Sequence, residues 1–170
     1  VSDEALKQKK EIVVVVISTV LPGTFRNKIV PLSNNYIKLC YNPFFIAMGT
    51  TMPDYLNPEF VLFGVWDNDA ASKAEKFYKS IHKKPFYKTS VENAELIKVT
   101  YNTFIGMKIA FANTIMEICH NTPGSNVDEV TDALKMANDR LISPRYLTAG
   151  MGDGGGCHPR DNIALSWLAK

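Results

Sequence analysis

Cysteine is scarce in this chain of 170 residues: Cys40, Cys119 and Cys157 are all it has. The number is odd and the spacing too wide for a zinc motif, so neither a disulfide framework nor a metal centre is expected. Reduced thiols in a cytoplasm fit this usage best. An excess of one charge is also missing. Lys and Arg number 19 against 17 Asp and Glu, and a net +2 gives no reason to expect nucleic acid or an anionic membrane as partner. Long apolar runs are absent too: Ile12–Val20 covers about half of the ~20 residues that cross a bilayer. Val1–Lys10 is charged and lacks the apolar stretch of a signal peptide. What remains is a globular composition, 46% hydrophobic and 21% charged, with enough apolar material for a core.

Glu11–Val20 is continuous and β-branched, the pattern of a strand buried on both faces of a parallel sheet. Leu21-Pro-Gly-Thr breaks it, and Thr24 is placed to cap a short helix running toward Val30. Tyr36–Tyr41 reads as a second strand, ended by Asn42-Pro43. Gly49, Pro53 and Pro58 mark a loop, and Glu59–Gly64 a third strand. Asp67 or Asn68 caps a helix from Ala70 to Lys83, and Pro85–Thr89 is a short strand. This alternation predicts an open α/β sheet.

Beyond residue 90 the pattern changes. Val91–Cys119 has no Gly-Pro break and carries apolar residues on more than one side. A helix of ~40 Å, at 1.5 Å per residue, is predicted to pack on other helices or on a partner chain. Asn126-Val-Asp-Glu opens a shorter helix to Ala137. Gly150–Gly156 lies in a loop, and Pro159 suits the first turn of a last helix to Ala169. The pattern at both ends leads us to expect an internal piece of a longer protein.

The densest local signal is Gly150-Met-Gly-Asp-Gly-Gly-Gly-Cys-His-Pro-Arg-Asp161. Gly150, Gly152 and Gly155 match G-x-G-x-x-G, but no β-branched strand precedes them, so the dinucleotide fingerprint is discounted. Two readings stand side by side. In one, backbone N–H groups of the glycine loop approach an anionic ligand and feed a helix N-terminus, where Cys157 gains thiolate character from the dipole and Arg160. Asp161, four residues on, then shares its face, a nucleophile with a carboxylate one turn away. In the other, this is an ordinary glycine-rich connection with a small cysteine.

Lys98 and Asn102 are four apart on the long helix and share a face. Lys98 lies among Leu96, Ile97 and Val99. It is either a partly desolvated amine fit for oxyanion stabilisation or a lysine that snorkels to solvent. Thr19 ends the first strand, where open α/β sheets bind ligands. Arg140 suits a phosphate or carboxylate clamp, or simply the surface.

Ser18-Thr-Val-Leu-Pro-Gly-Thr24, Ala94-Glu-Leu-Ile-Lys-Val-Thr-Tyr-Asn102, Asp139-Arg-Leu-Ile and Gly152–Asp161 occur in this order over nearly the whole chain. Together they resemble the nucleotide-sugar dehydrogenases of the UDP-glucose/GDP-mannose dehydrogenase family. The resemblance implies an α/β part followed by an α part. Residues 1–90 would be the end of a Rossmann-like NAD-binding domain, and 91–170 an incomplete central helical domain that dimerises through the long helix. It also implies a two-step oxidation of a sugar C6 alcohol to a carboxylate with two NAD+. Cys157 would carry a thiohemiacetal and then a thioester. Lys98 and Asn102 would stabilise the oxyanion, with Asp161 assisting Lys98 and the hydrolytic water. Thr19 would hold a water near the nicotinamide, with Arg160 near the cofactor. Phe45 and Ile46 (through their backbone), Arg140, Gly152 and Gly154 would meet the nucleotide-sugar substrate. UDP-glucose is the expected substrate, with UDP-N-acetylhexosamines and GDP-mannose as alternatives. One departure stands out. Phe44 and Met48 occupy positions where the family commonly has glutamates, which also leaves room for a helical scaffold without catalysis. The isolated chain is expected to be inactive.

Overall fold

The computed structural model describes residues 1–47 and 49–142, so Met48 and the glycine-rich segment with Cys157 lie outside the described residues. In chain order the elements are α1 (Ser2–Gln8), β1 (Ile12–Val16), β2 (Ile37–Tyr41), α2 (Thr51–Leu56), β3 (Val61–Val65), α3 (Asn68–Lys79), β4 (Phe86–Ser90), α4 (Val91–His120) and α5 (Val127–Lys135). A π-helical turn at Phe25–Ile29 and a 3-10 turn at Val30–Leu32 lie between β1 and β2. Two compact units are present, Val1–Thr103 and Phe104–Lys170.

The first unit is built on a four-stranded sheet in the order β1-β2-β3-β4. β1 pairs with β2 in parallel and β3 with β4 in parallel, but β2 and β3 are antiparallel, joined only at Cys40–Val65 and Tyr41–Gly64. The sheet is therefore mixed, two parallel pairs with a short antiparallel seam. On one side Cys40, Phe63, Ala70, Ala71, Ala74 and Tyr78 form the core beneath α3. On the other, Phe25, Leu39, Tyr41, Leu62, Val91 and Ala94 pack under the start of α4. Successive strand residues supply the two clusters alternately, as the pleat requires.

Several local expectations need correction. Residues Ser2–Gln8 form a helix, which the charged opening had concealed. The β-branched run yields a strand only over Ile12–Val16, half-buried throughout, because β1 has just one neighbour among the described strands. Thr24 makes no side-chain cap. Residues Thr51–Leu56 are helical although Pro53 lies within them, because proline is tolerated in a helix's first turn, where its missing N–H has no partner to lose. Asp67 does cap α3, accepting a hydrogen bond from Ala70 N–H at 3.0 Å.

Gly64 decides how closely α4 approaches the sheet. A Cβ there would lie 2.9 Å from Ala94 Cβ and 3.0 Å from Val91 Cα. Only glycine lets the first turn of α4 rest directly on β3.

The second unit contains the rest of α4 and α5. Asn126 caps α5, accepting from the N–H groups of Asp128 and Glu129. Phe104, Ile105, Met107, Ile109, Phe111 and Met116 of α4 are exposed. No helix among the described residues is long and apolar enough to cross a membrane.

Candidate active site

Contact with the sheet selects one face of α4's first turns: Val91, Ala94, Glu95 and Lys98, all buried. These positions follow the i, i+3, i+4, i+7 spacing of a packed stripe, yet two of them are charged. Lys98 is only 6% exposed, so it does not snorkel. Its neighbour Leu96 points outward at 52% exposure, and the desolvating surface comes from elsewhere. Lys98 Nζ sits 4.9 Å from the centre of the Phe45 ring. That ring in turn packs on Phe60 and Tyr101, with centroids 5.0 and 4.6 Å away. Burial holds the Lys98 amine below the ordinary lysine range. Asn102 Oδ1 lies 3.5 Å from Nζ. Among the described residues Lys98 has no carboxylate ion-pair partner.

Phe44 and Phe45 diverge. Phe44 packs edge-on against Tyr55 and Tyr78, at 5.4 and 6.4 Å, in the cluster beneath α3. Phe45 faces α4. Ile46 is exposed, and the loop after it is held by Asp54, which accepts from Ala47 N–H at 2.9 Å and Thr50 Oγ1 at 2.7 Å. Those two bonds lower the Asp54 carboxyl below its usual range.

Glu95 is fully buried and accepts from Gly23 N–H at 2.6 Å and Phe25 N–H at 2.7 Å. It thereby binds α4 to the turn at Leu21–Thr24 that follows β1; Thr19, two residues before that turn, is exposed. Ile17 and Leu21, flanking Thr19 in sequence, expose apolar side chains. Arg140 is exposed in the turn after α5, in the other unit. Cys157, Gly152, Gly154, Arg160 and Asp161 lie outside the described residues.

The structure thus brings together Lys98, Asn102 and Phe45, and ties the turn at Gly23, downstream of Thr19, to the same helix. Glu95 and Asp54 escaped the sequence reading. A carboxylate in register with Val91, Ala94 and Lys98, on the apolar stripe, was the signal for Glu95.

Residues 3–82 match the NAD binding domain of the UDP-glucose/GDP-mannose dehydrogenase family, and residues 92–170 match its central domain. The chain belongs to that family. Within it, the chain is 31% identical to a UDP-glucose 6-dehydrogenase of Rickettsia conorii, covering 95% of this chain and 37% of that protein. A UDP-glucose 6-dehydrogenase of Bacillus subtilis is 37% identical over 76% of this chain and 27% of its own length. A crystal structure of a ternary complex of GDP-mannose dehydrogenase from Pseudomonas aeruginosa superimposes with a TM-score of 0.90 at 31% identity, covering 97% of this chain and 39% of that one. The chain therefore spans well under half the length of these relatives. NAD is the cofactor for which the family's first domain is built.

Proposed function

We propose that the complete protein carrying this chain oxidises the C6 alcohol of a nucleotide sugar to the carboxylate, with UDP-glucose as substrate. The observation that carries the reading is Lys98: a buried amine beside Asn102, free of carboxylate partners among the described residues, on the helix that also holds the turn at Gly23. A desolvated cation in that position stabilises negative charge on a substrate oxygen far better than one in water. Bound NAD+ supplies the two-electron acceptor for each of two oxidations. The Cys157 thiolate adds to the intermediate aldehyde, forming a thiohemiacetal, and Lys98 and Asn102 have the role of stabilising its oxyanion. Its oxidation leaves a thioester, and water assisted by Asp161 releases the acid and the thiol. Thr19 positions a water, Arg160 lies near the cofactor, and Arg140, Gly152, Gly154 and the backbone of Phe45 and Ile46 meet the substrate.

The same reading divides the chain at residue 90 into a cofactor domain and a central domain. It makes the protein a cytoplasmic homodimer through α4, whose exposed Phe104, Met107 and Phe111 would be covered by the second copy. The isolated chain would not turn over. GDP-mannose is the second substrate reading, favoured by the TM-score of 0.90 to a GDP-mannose dehydrogenase. The deciding experiment offers the full-length protein a panel of nucleotide sugars and counts NADH. Two NADH per sugar acid from UDP-glucose supports the proposal. NADH from GDP-mannose alone selects the second substrate, and none from any sugar favours a scaffold.

A further inference from the structure

A fully buried carboxylate is costly, and Glu95 is kept where an apolar residue would pack. The reason lies in the turn it faces. Thr24 N–H is used within the turn, donating to Leu21 C=O at 3.0 Å, and Asn27 N–H donates to Gly23 C=O at 3.0 Å. Pro22 has no N–H to offer. Gly23, at a φ of +87°, and Phe25 aim their N–H groups out of the turn, and each finds its own oxygen of Glu95. The carboxylate therefore completes the hydrogen bonding of a segment that cannot satisfy itself. Tyr41 supports the same segment from the sheet. Its ring lies 5.9 Å from Phe25, and its buried hydroxyl lies near the Val20 backbone and Glu95 without closing a hydrogen bond. By contrast, Glu92 meets Arg26 at 2.6 Å on the surface, with both partners substantially exposed.

We propose that Glu95 is a positioning residue for the cofactor end of the site. Its two oxygens hold Gly23 and Phe25, in the segment that leads on from Thr19, in register with the segment of α4 that carries Lys98. The consequence for catalysis rests on the dehydrogenase reading; the tie itself does not. Glu95→Gln keeps the shape but turns an NH2 group toward a backbone N–H, so one of the two bonds must fail.

The test uses the full-length protein and compares the parent with Glu95→Gln and Glu92→Gln. In Glu95→Gln, amide exchange in residues 19–27 should accelerate by about 10-fold or more while β2 and β3 stay protected. The Kd for NAD+, measured by calorimetry, should weaken by about 10-fold. The KM for the sugar should stay within about twofold, a split that general loss of folded protein does not produce. Glu92→Gln should match the parent, because its ion pair is exposed. If Glu95→Gln does not fold, Glu95→Asp must show the same changes at smaller size. Exchange and NAD+ affinity within about twofold of the parent in the folded variant overturn the proposal. A parent that oxidises no nucleotide sugar sinks the dehydrogenase reading instead, and the exchange result still decides the tie.

Discussion

The Lys98 ammonium and the Phe45 ring face each other at 4.9 Å, a cation over an aromatic face in a place largely closed to water. The ring's quadrupole attracts the charge but does not neutralise it, so the amine remains available to a developing oxyanion. A carboxylate in the same place would hold the amine in a ground-state ion pair.

Replacing Lys98 by Met therefore separates stability from activity. Burial lowers the pKa of this amine in the folded state relative to the unfolded chain. Between those two pKa values the unfolded chain binds more protons, so stability rises with pH through that window. At pH values below that window the folded protein carries the whole cost of the desolvated charge. Lys98→Met should unfold at or above the parent temperature at pH 7, with turnover lower by about 100-fold or more. Thermal scans and kcat check this, and a Tm lowered by more than about 3 °C would show that the ring contact is worth more than the desolvation costs.

Phe44 is partly buried against the core cluster beneath α3, so restoring a carboxylate there should fail. Phe44→Glu buries a charge between Tyr55 and Tyr78 and should cost about 3 kcal/mol or more, while Phe44→Leu costs less. Urea unfolding measures both. A Glu variant with parental stability and raised turnover would mean that this side chain reaches the reacting centre.

Gly64→Ala tests whether close approach of helix and sheet matters to the site. Its Cβ would meet Val91 Cα at 3.0 Å, and backbone cannot swing aside, so α4 must shift. A loss of about 1–3 kcal/mol is expected. Because Glu95 and Lys98 ride on the same turns, kcat/KM of the folded protein should fall as well. Unchanged kinetics in a destabilised variant would uncouple α4's seating from the chemistry.

The cysteines should differ in reactivity. Burial pushes the Cys40 thiol up to about 12, so native protein at pH 8 should leave it unalkylated. Cys157, if a helix N-terminus and Arg160 favour its thiolate, should label fastest and with a midpoint below the ~8.5 of a free thiol. Peptide mapping after timed iodoacetamide treatment across pH 5–9 reads each site. Equal rates for Cys40 and Cys157 would remove the case for an activated nucleophile.

What the sequence determined by itself was local. The β-branched run after Glu11, the Asp67 and Asn126 caps, and the unbroken stretch that becomes α4 each depend on residues within a turn or two of one another. Backbone propensity and capping chemistry act at that range. The shared face of Lys98 and Asn102 followed from helical geometry alone, and the order of the motifs that carry the family resemblance could be read along the chain. Tertiary structure decided the rest. Whether Lys98 is buried or snorkels depended on Phe45, which comes from the loop after β2. That Phe44 and Phe45 part to opposite cores depended on where α3 and α4 settle against the sheet. The antiparallel seam between β2 and β3 left no mark in either strand, because both kinds of pairing accept the same apolar residues. Glu95 shows the physical reason most directly: its partners Gly23 and Phe25 lie 72 and 70 residues away, and no local pattern reveals which distant N–H groups lack acceptors until the chain has folded.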